Sequence, residues 1–322
     1  MVFKRLLGKL GVGGPSVDTV LHRETVLPGD TVSGDVLVRG GSMDVEISEV
    51  TLELAARVEQ ESGEGEHHGT LRFHRVVVGG GFRLAEEQEL SIPFSFQLPW
   101  ETPITEVFGQ PLSVPLGVRT ELAVAGAVDQ GDLDPLMIRP LPVQEAVLDA
   151  FGQLGFGFRS ADLELGRIGG SGQTLPFYQE IELTPGPDHA HAMREVEISF
   201  LANPSGLTVV LEADRRGGLF GGGGDALNLF TVGHQDVGHT DFTALVDSWL
   251  RQLAERRSGG FGQAGYGGHG GHHGHEHKDH DGHGRGGLGI GGAVAGLAAG
   301  VVGGMVAAEV IDEIGDAFEG DH

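Results

Sequence analysis

The chain has 322 residues, 39% hydrophobic and 21% charged, which is enough for two folded units of ordinary size with tails besides. Its 46 acidic and 21 basic residues give a formal net charge of -25 at pH 7, and no basic stripe interrupts that field, so nucleic acid is a poor partner and a protein or a cation a better one. The absence of cysteine excludes disulfides, thiolate metal sites and cysteine nucleophiles, in keeping with a reducing cytoplasm.

The first residues, MVFKRLLGKL, are basic and apolar but lack the continuous apolar run and cleavage site of a secretory signal. Phe3, Leu6, Leu7 and Leu10 predict a short amphipathic helix packed on a neighbouring sheet, with contact to a membrane surface as the second reading. From Ser16 to about Leu141 the period is two. LSIPFSFQL puts Leu90, Ile92, Phe94, Phe96 and Leu98 on one face, and Pro93 must then sit at an edge or an unpaired position. In VEISEVTLELAARV, Val45 and Ile47 keep one phase and Val50, Leu52 and Leu54 the other, which predicts a bulge near Ser48 and Glu49. Further strands are expected over Val17–Leu21, Thr31–Arg39, Leu71–Val78 and Leu112–Val128, with turns at LPGD, RGGS and VGGG.

After IRPLP the period becomes helical: Val143, Ala146, Val147, Ala150, Phe151 and Leu154 recur at three and four. A second strand-rich stretch follows over Gly157–Leu165, Phe177–Leu183, Glu195–Leu201, Leu207–Ala213 and Ala226–Val232, with a turn at NPSG. It closes in a helix capped by Thr240 or Asp241, whose Phe242, Leu245, Val246, Trp249 and Leu253 face inward.

Three stretches in order, GVGGPSVDTVLHRETVLPGDTVSGDVLVRGG, IRPLPVQEAVLDAFGQLGF and GLTVVLEADRR, resemble the bacterial sporulation-control (SpoOM-type) family over roughly residues 1 to 257. That family is similar to arrestins. The resemblance implies a mainly β chain of two tandem arrestin-like β-sandwich domains with a few short helices, no established catalytic activity, and a regulatory, adaptor or scaffold role in sporulation and cell division. Its boundaries would be 1–142 for the N-terminal sandwich and 143–257 for the C-terminal sandwich with flanking helices.

The rest of the chain lies outside the resemblance. Residues 258–287 read as a flexible Gly/His-rich linker, and 288–322 as a glycine-spaced apolar segment with an acidic end. His269, His272, His273, His275, His277, His280 and His283 can ligate a divalent metal weakly, because the surrounding glycines must be ordered by the ion itself. His67 and His68, and His189 and His191, are further imidazole pairs beside carboxylates. Gly292, Gly296, Gly300 and Gly304 form a ridge of small residues suited to self-association of helices. As a helix, Leu288 to Ala308 would be about 31 Å long, enough to span a bilayer, but its seven glycines make insertion marginal.

Enzyme signatures fail. GGSGQ lacks the last glycine of a nucleophile elbow, HEHKDH places Asp279 where a zinc-protease motif needs histidine, and Gly287, Gly289 and Gly292 spell G-x-G-x-x-G with no strand before it. The sequence therefore predicts a non-enzymatic, arrestin-like adaptor without a cofactor, acting through protein partners, cytoplasmic, and with membrane contact left open to its C-terminal segment. The alternative is a metal-buffering or metal-sensing protein that uses the histidine segment.

Overall fold

The structure is a computed structural model that describes residues 13–62, 65–126, 128–213 and 228–259. The expected N-terminal helix, the histidine segment and the glycine ridge lie outside the described residues. The first half carries β1 (Ser16–Leu21), β2 (Thr25–Val26), β3 (Thr31–Arg39), β4 (Val45–Ser62), β5 (Gly65–Gly79), β6 (Phe82–Leu84), β7 (Glu89–Gln97), β8 (Glu106–Val107), β9 (Gln110–Pro111), β10 (Leu116–Val124), β11 (Gln130–Pro135) and β12 (Met137–Ile138). The second half carries α1 (Pro142–Gln153), β13 (Gly157–Leu165), β14 (Phe177–Thr184), β15 (Val196–Asn203), β16 (Gly206–Ala213), β17 (Asn228–Gly233), a 3-10 turn (His234–Asp236) and α2 (Phe242–Gly259).

One ten-stranded sheet runs through both halves in the order β11-β10-β4-β13-β14-β15-β16-β17, with β5 and β6 also paired to β4. The halves join where β13 lies parallel to β4, at Glu164 opposite Glu59. Along this sheet the even positions of β4 (Leu52, Leu54, Ala56, Val58) and the odd positions of β13 and β14 (Leu163, Phe177, Ile181, Leu183) are buried in one continuous apolar core. In the first half that face is covered by the three-stranded sheet β1-β3-β7, which contributes Val32, Val36, Val38, Phe94 and Phe96. In the second half α1 and α2 lie against β16 and against each other, and Phe230 of β17 stacks on Trp249 of α2 at 4.8 Å.

The local signals act as the sequence predicts. Pro93, which has no N–H to give, lies on β7, and β7 pairs with β3 alone in its sheet. The two phases of β4 are reconciled at Ser48, which is skipped in the pairing of Ala123 with Glu49 and Val124 with Ile47. The chain passes so close there that a Cβ on Gly80 would run into the Ser48 carbonyl. Asp241 caps α2 by accepting the Ala244 N–H at 3.0 Å, and Gln144 accepts the Leu141 N–H at 2.8 Å at the start of α1. Two expectations differ in detail. The strand read over Leu71–Val78 is longer, Gly65–Gly79, because it pairs with an equally extended β4, and His67 and His68 therefore lie on a strand where the acidic composition suggests a loop. The strand read over Leu112–Val128 is shorter, because the chain turns at Ala125 and Gly126 and returns as β11, pairing Leu122 with Gln130. Among the described residues no helix is long and apolar enough to cross a membrane.

Candidate functional site

The seam between the halves is fixed by side chains that reach across it. Glu101 accepts the Thr174 N–H at 2.8 and 2.9 Å and the Leu175 N–H at 2.9 Å. The Gln179 amide matches one backbone unit of the first half, accepting from Ile104 N at 3.0 Å and donating to Ile104 O at 2.8 Å. Gln173 is buried and donates to the carbonyls of Gly166, Leu175 and Phe177 while accepting from Ile168 N, which shapes the loop that Glu101 grips. Phe73 of the first half and Phe177 of the second meet edge to face at 5.0 Å. Trp100 and His234 add a ring contact at 5.6 Å.

Beside the seam lies a cavity of about 220 Å³ lined by Arg57, Glu59, His68, Ser113, Asp162 and Leu163, among others. His68 Nδ1 stands 3.7 Å from Glu59 Oε2. The outer face of the second half continues from this cavity as an acidic band. Cross-strand pairing sets Asp162 opposite Glu180, Glu182 opposite Glu197, and Glu197 opposite Glu212. Asp162, Glu164 and Glu180 come together, as do Glu182, Glu195 and Glu197, the latter group beside the Arg159 guanidinium. Burial, then the charges of Glu197, Asp162, Glu164 and Glu212, push the Glu180 carboxyl up to about 9. A similar effect operates inside the first half, where burial and the neighbouring Asp132 and Asp18 push the Asp134 carboxyl up to about 8.

Two arrangements could be taken for catalytic chemistry. Ser33 Oγ lies 3.4 Å from His22 Nδ1, and His22 Nε2 lies 2.9 Å from Asp35 Oδ2, in the order of a Ser-His-Asp relay. Ser33 and Asp35 lie on β3 and His22 just past the end of β1, with the His22 side chain 56% exposed, and the long Ser-His contact is a surface hydrogen-bond chain rather than an activated nucleophile in a cleft. The bond to His22, joined by one from Ser91, holds the Asp35 carboxyl below the usual carboxylate range. The acidic groups gather carboxylates alone, with no imidazole among them.

Of the histidines singled out from the sequence, His67 and His68 lie on β5 opposite Gln60 and Glu59, exposed at the surface. His189 packs its ring on Phe156 at 5.2 Å, which accounts for it structurally, and His191 is exposed. His269, His272, His273, His275, His277, His280 and His283, with Gly292, Gly296, Gly300 and Gly304, fall outside the described residues. Nothing local in the sequence marks Glu101, Gln173 or Gln179 as residues of the seam.

Residues 3–217 match the family described as SpoOM protein. The chain is 35% identical over 215 residues to the sporulation-control protein Spo0M of Bacillus subtilis (strain 168), an alignment covering 66% of this chain and 81% of that protein. A crystal structure of Spo0M from Bacillus subtilis superposes with a TM-score of 0.69 and 30% identity, covering 75% of this chain and all of the other.

Proposed function

We propose, from the premise that the chain belongs to the SpoOM family, that it takes part in sporulation control as a non-enzymatic adaptor. One observation carries the reading: the match to the SpoOM family runs over residues 3–217, through the first half and into the second as far as β16, and stops short of the histidine segment, which favours the β framework as the working part. The first half (1–142) and second half (143–257) serve as two arrestin-like units held in one relative position by Glu101, Gln179 and the Phe73–Phe177 contact. A framework of this kind works by presenting sheet edges and loops to protein partners, and it needs no cofactor.

Proximity labelling in sporulating cells tests this. The full chain and a chain whose residues 258–287 are replaced by a neutral linker of equal length should label the same neighbours. Loss of those neighbours on replacement would transfer the function to the histidine segment and so to metal sensing.

A further inference from the structure

The strands at the margins of the sheets differ in how they resist pairing with other chains. β7 carries Pro93, β5 is broken by two register shifts against β4, and β11 (QGDLDP) carries glycine, two aspartates and proline and lies against β1. Each of these is a device that blocks edge-to-edge pairing. β17 has none. Its sequence NLFTVG contains no charge and no proline, it pairs with β16 over six residues without a shift, and among the described residues it ends the ten-stranded sheet. It is also held in place, with Val232 buried and Phe230 stacked on Trp249.

Its outward groups can be identified. His234 N donates to Ser205 O, and the alternation of an antiparallel ladder from that point turns Phe230 and Val232 toward β16 and leaves the N–H and C=O of Leu229 and Thr231 facing away from it, while the Gly233 N–H is taken by Asp236 Oδ2 at 2.7 Å. Leu229 is 37% exposed.

We propose that this edge pairs with β17 of a second copy, going beyond the adaptor reading above. Two identical edges related by a two-fold axis meet antiparallel, and an uncharged strand lets them do so in a chain of net charge -25, where a charged edge would repel its own copy. An axis perpendicular to the sheet keeps the helix-covered face on the same side in both copies, so residues of like facing pair: Phe230 opposite Phe230 of the second copy, and Leu229 opposite Thr231 of the second copy. The exposed Leu229 and Thr231 then exchange the hydrogen bonds that β16 leaves unused. Because a six-residue strand pair alone buries less than a standard interface, the dimer is a dissociating one.

Sedimentation of the full chain over a concentration series tests the proposal. Wild type should pass reversibly from monomer to dimer. Thr231→Pro, which removes an N–H pointing away from β16, and Leu229→Lys, which puts like charges close to the axis, should each weaken the dimer at least about tenfold. Gly296→Ile with Gly300→Ile should leave it unchanged. If the proline variant loses its fold by circular dichroism, the lysine variant and hydrogen exchange decide, the latter expected to slow at Leu229 and Thr231 as concentration rises. A chain that stays monomeric throughout, or a dimer that survives Leu229→Lys but is lost in the glycine double variant, overturns the assignment and in the second case gives the contact to the C-terminal segment.

Discussion

The two halves share one sheet but balance charge on its outer face in opposite ways. In the first half Glu53 stands among three arginines, with Arg119 at 3.5 Å, Arg75 at 3.8 Å and Arg72 at 4.0 Å, and Arg119 also meets Glu121 at 2.6 Å. In the second half the same face sets Glu182 opposite Glu197 and Glu197 opposite Glu212, with Arg159 at one margin. Like charges directly opposite one another weaken a sheet, so the second half depends on what lies on its other face, where α1 and α2 cover the core. The apolar side is thus common to both halves, while the polar side sets them apart.

The largest effect is expected where that common core crosses the seam. Phe177→Ala removes a ring that is 2% exposed and packed on Phe73, and should cost about 3–5 kcal/mol. Thermal unfolding of the variant should remain a single transition at lower temperature. Two separated transitions would break the comparison by showing that the halves are held independently.

Next come the side chains that bridge the seam. Glu101→Ala leaves the Thr174 and Leu175 N–H groups without their carboxylate, and Gln179→Ala strips both groups of Ile104, so each should cost about 1–3 kcal/mol in denaturant titration. An effect near zero for both would mean that the apolar contact alone joins the halves.

A third prediction separates the polar faces by pH. The Glu180 carboxyl is raised in the fold, so the folded protein keeps its proton where the unfolded chain has lost it. Stability is therefore greatest at low pH as far as this group is concerned and falls as pH rises from the ordinary carboxylate range toward about 9, where the folded group also ionises. The slope cannot exceed the one-proton limit of about 1.4 kcal/mol per pH unit, and because Glu180 is only half-buried by surface exposure the window over which it acts is narrower than full burial would give. Glu180→Gln should flatten this part of the stability-pH curve, measured by melting between mildly acid and mildly alkaline buffers. An unchanged curve would remove the acidic face from the account.

The smallest effect concerns neither half. Metal bound by the glycine-spaced histidines should be held no tighter than about micromolar, and replacing His272, His273, His275 and His277 should leave the melting temperature of the halves unchanged without metal. Competition with a calibrated chelator measures the first quantity, and a nanomolar site would favour the metal-sensing reading.

What the sequence discloses follows the range of the forces involved. Alternation along β7, the phase change at Ser48 and the Asp241 cap depend on neighbours a few residues away, and each could be read directly. β11 could not, because glycine, aspartate and proline argue against a strand unless a partner already lies alongside, as β10 does. The seam was out of reach for a related reason. Glu101 and Gln179 find their partners 73 to 75 residues away, and an isolated Glu or Gln in a polar loop or strand looks like any solvated residue. The raised carboxyl of Glu180 likewise requires the registers of β13, β14, β15 and β16 before its neighbours can be named.

We propose that this chain acts in sporulation control through the fixed arrangement of its two halves. Heat-resistant spore counts of Bacillus subtilis lacking its own Spo0M and expressing this chain test it most directly. Wild type should restore the count, and the folded Glu101→Ala, Gln179→Ala double variant, present at equal level, should fall clearly short of it. A wild-type chain that leaves the count unchanged, or a double variant that restores it as fully as wild type, would contradict the account.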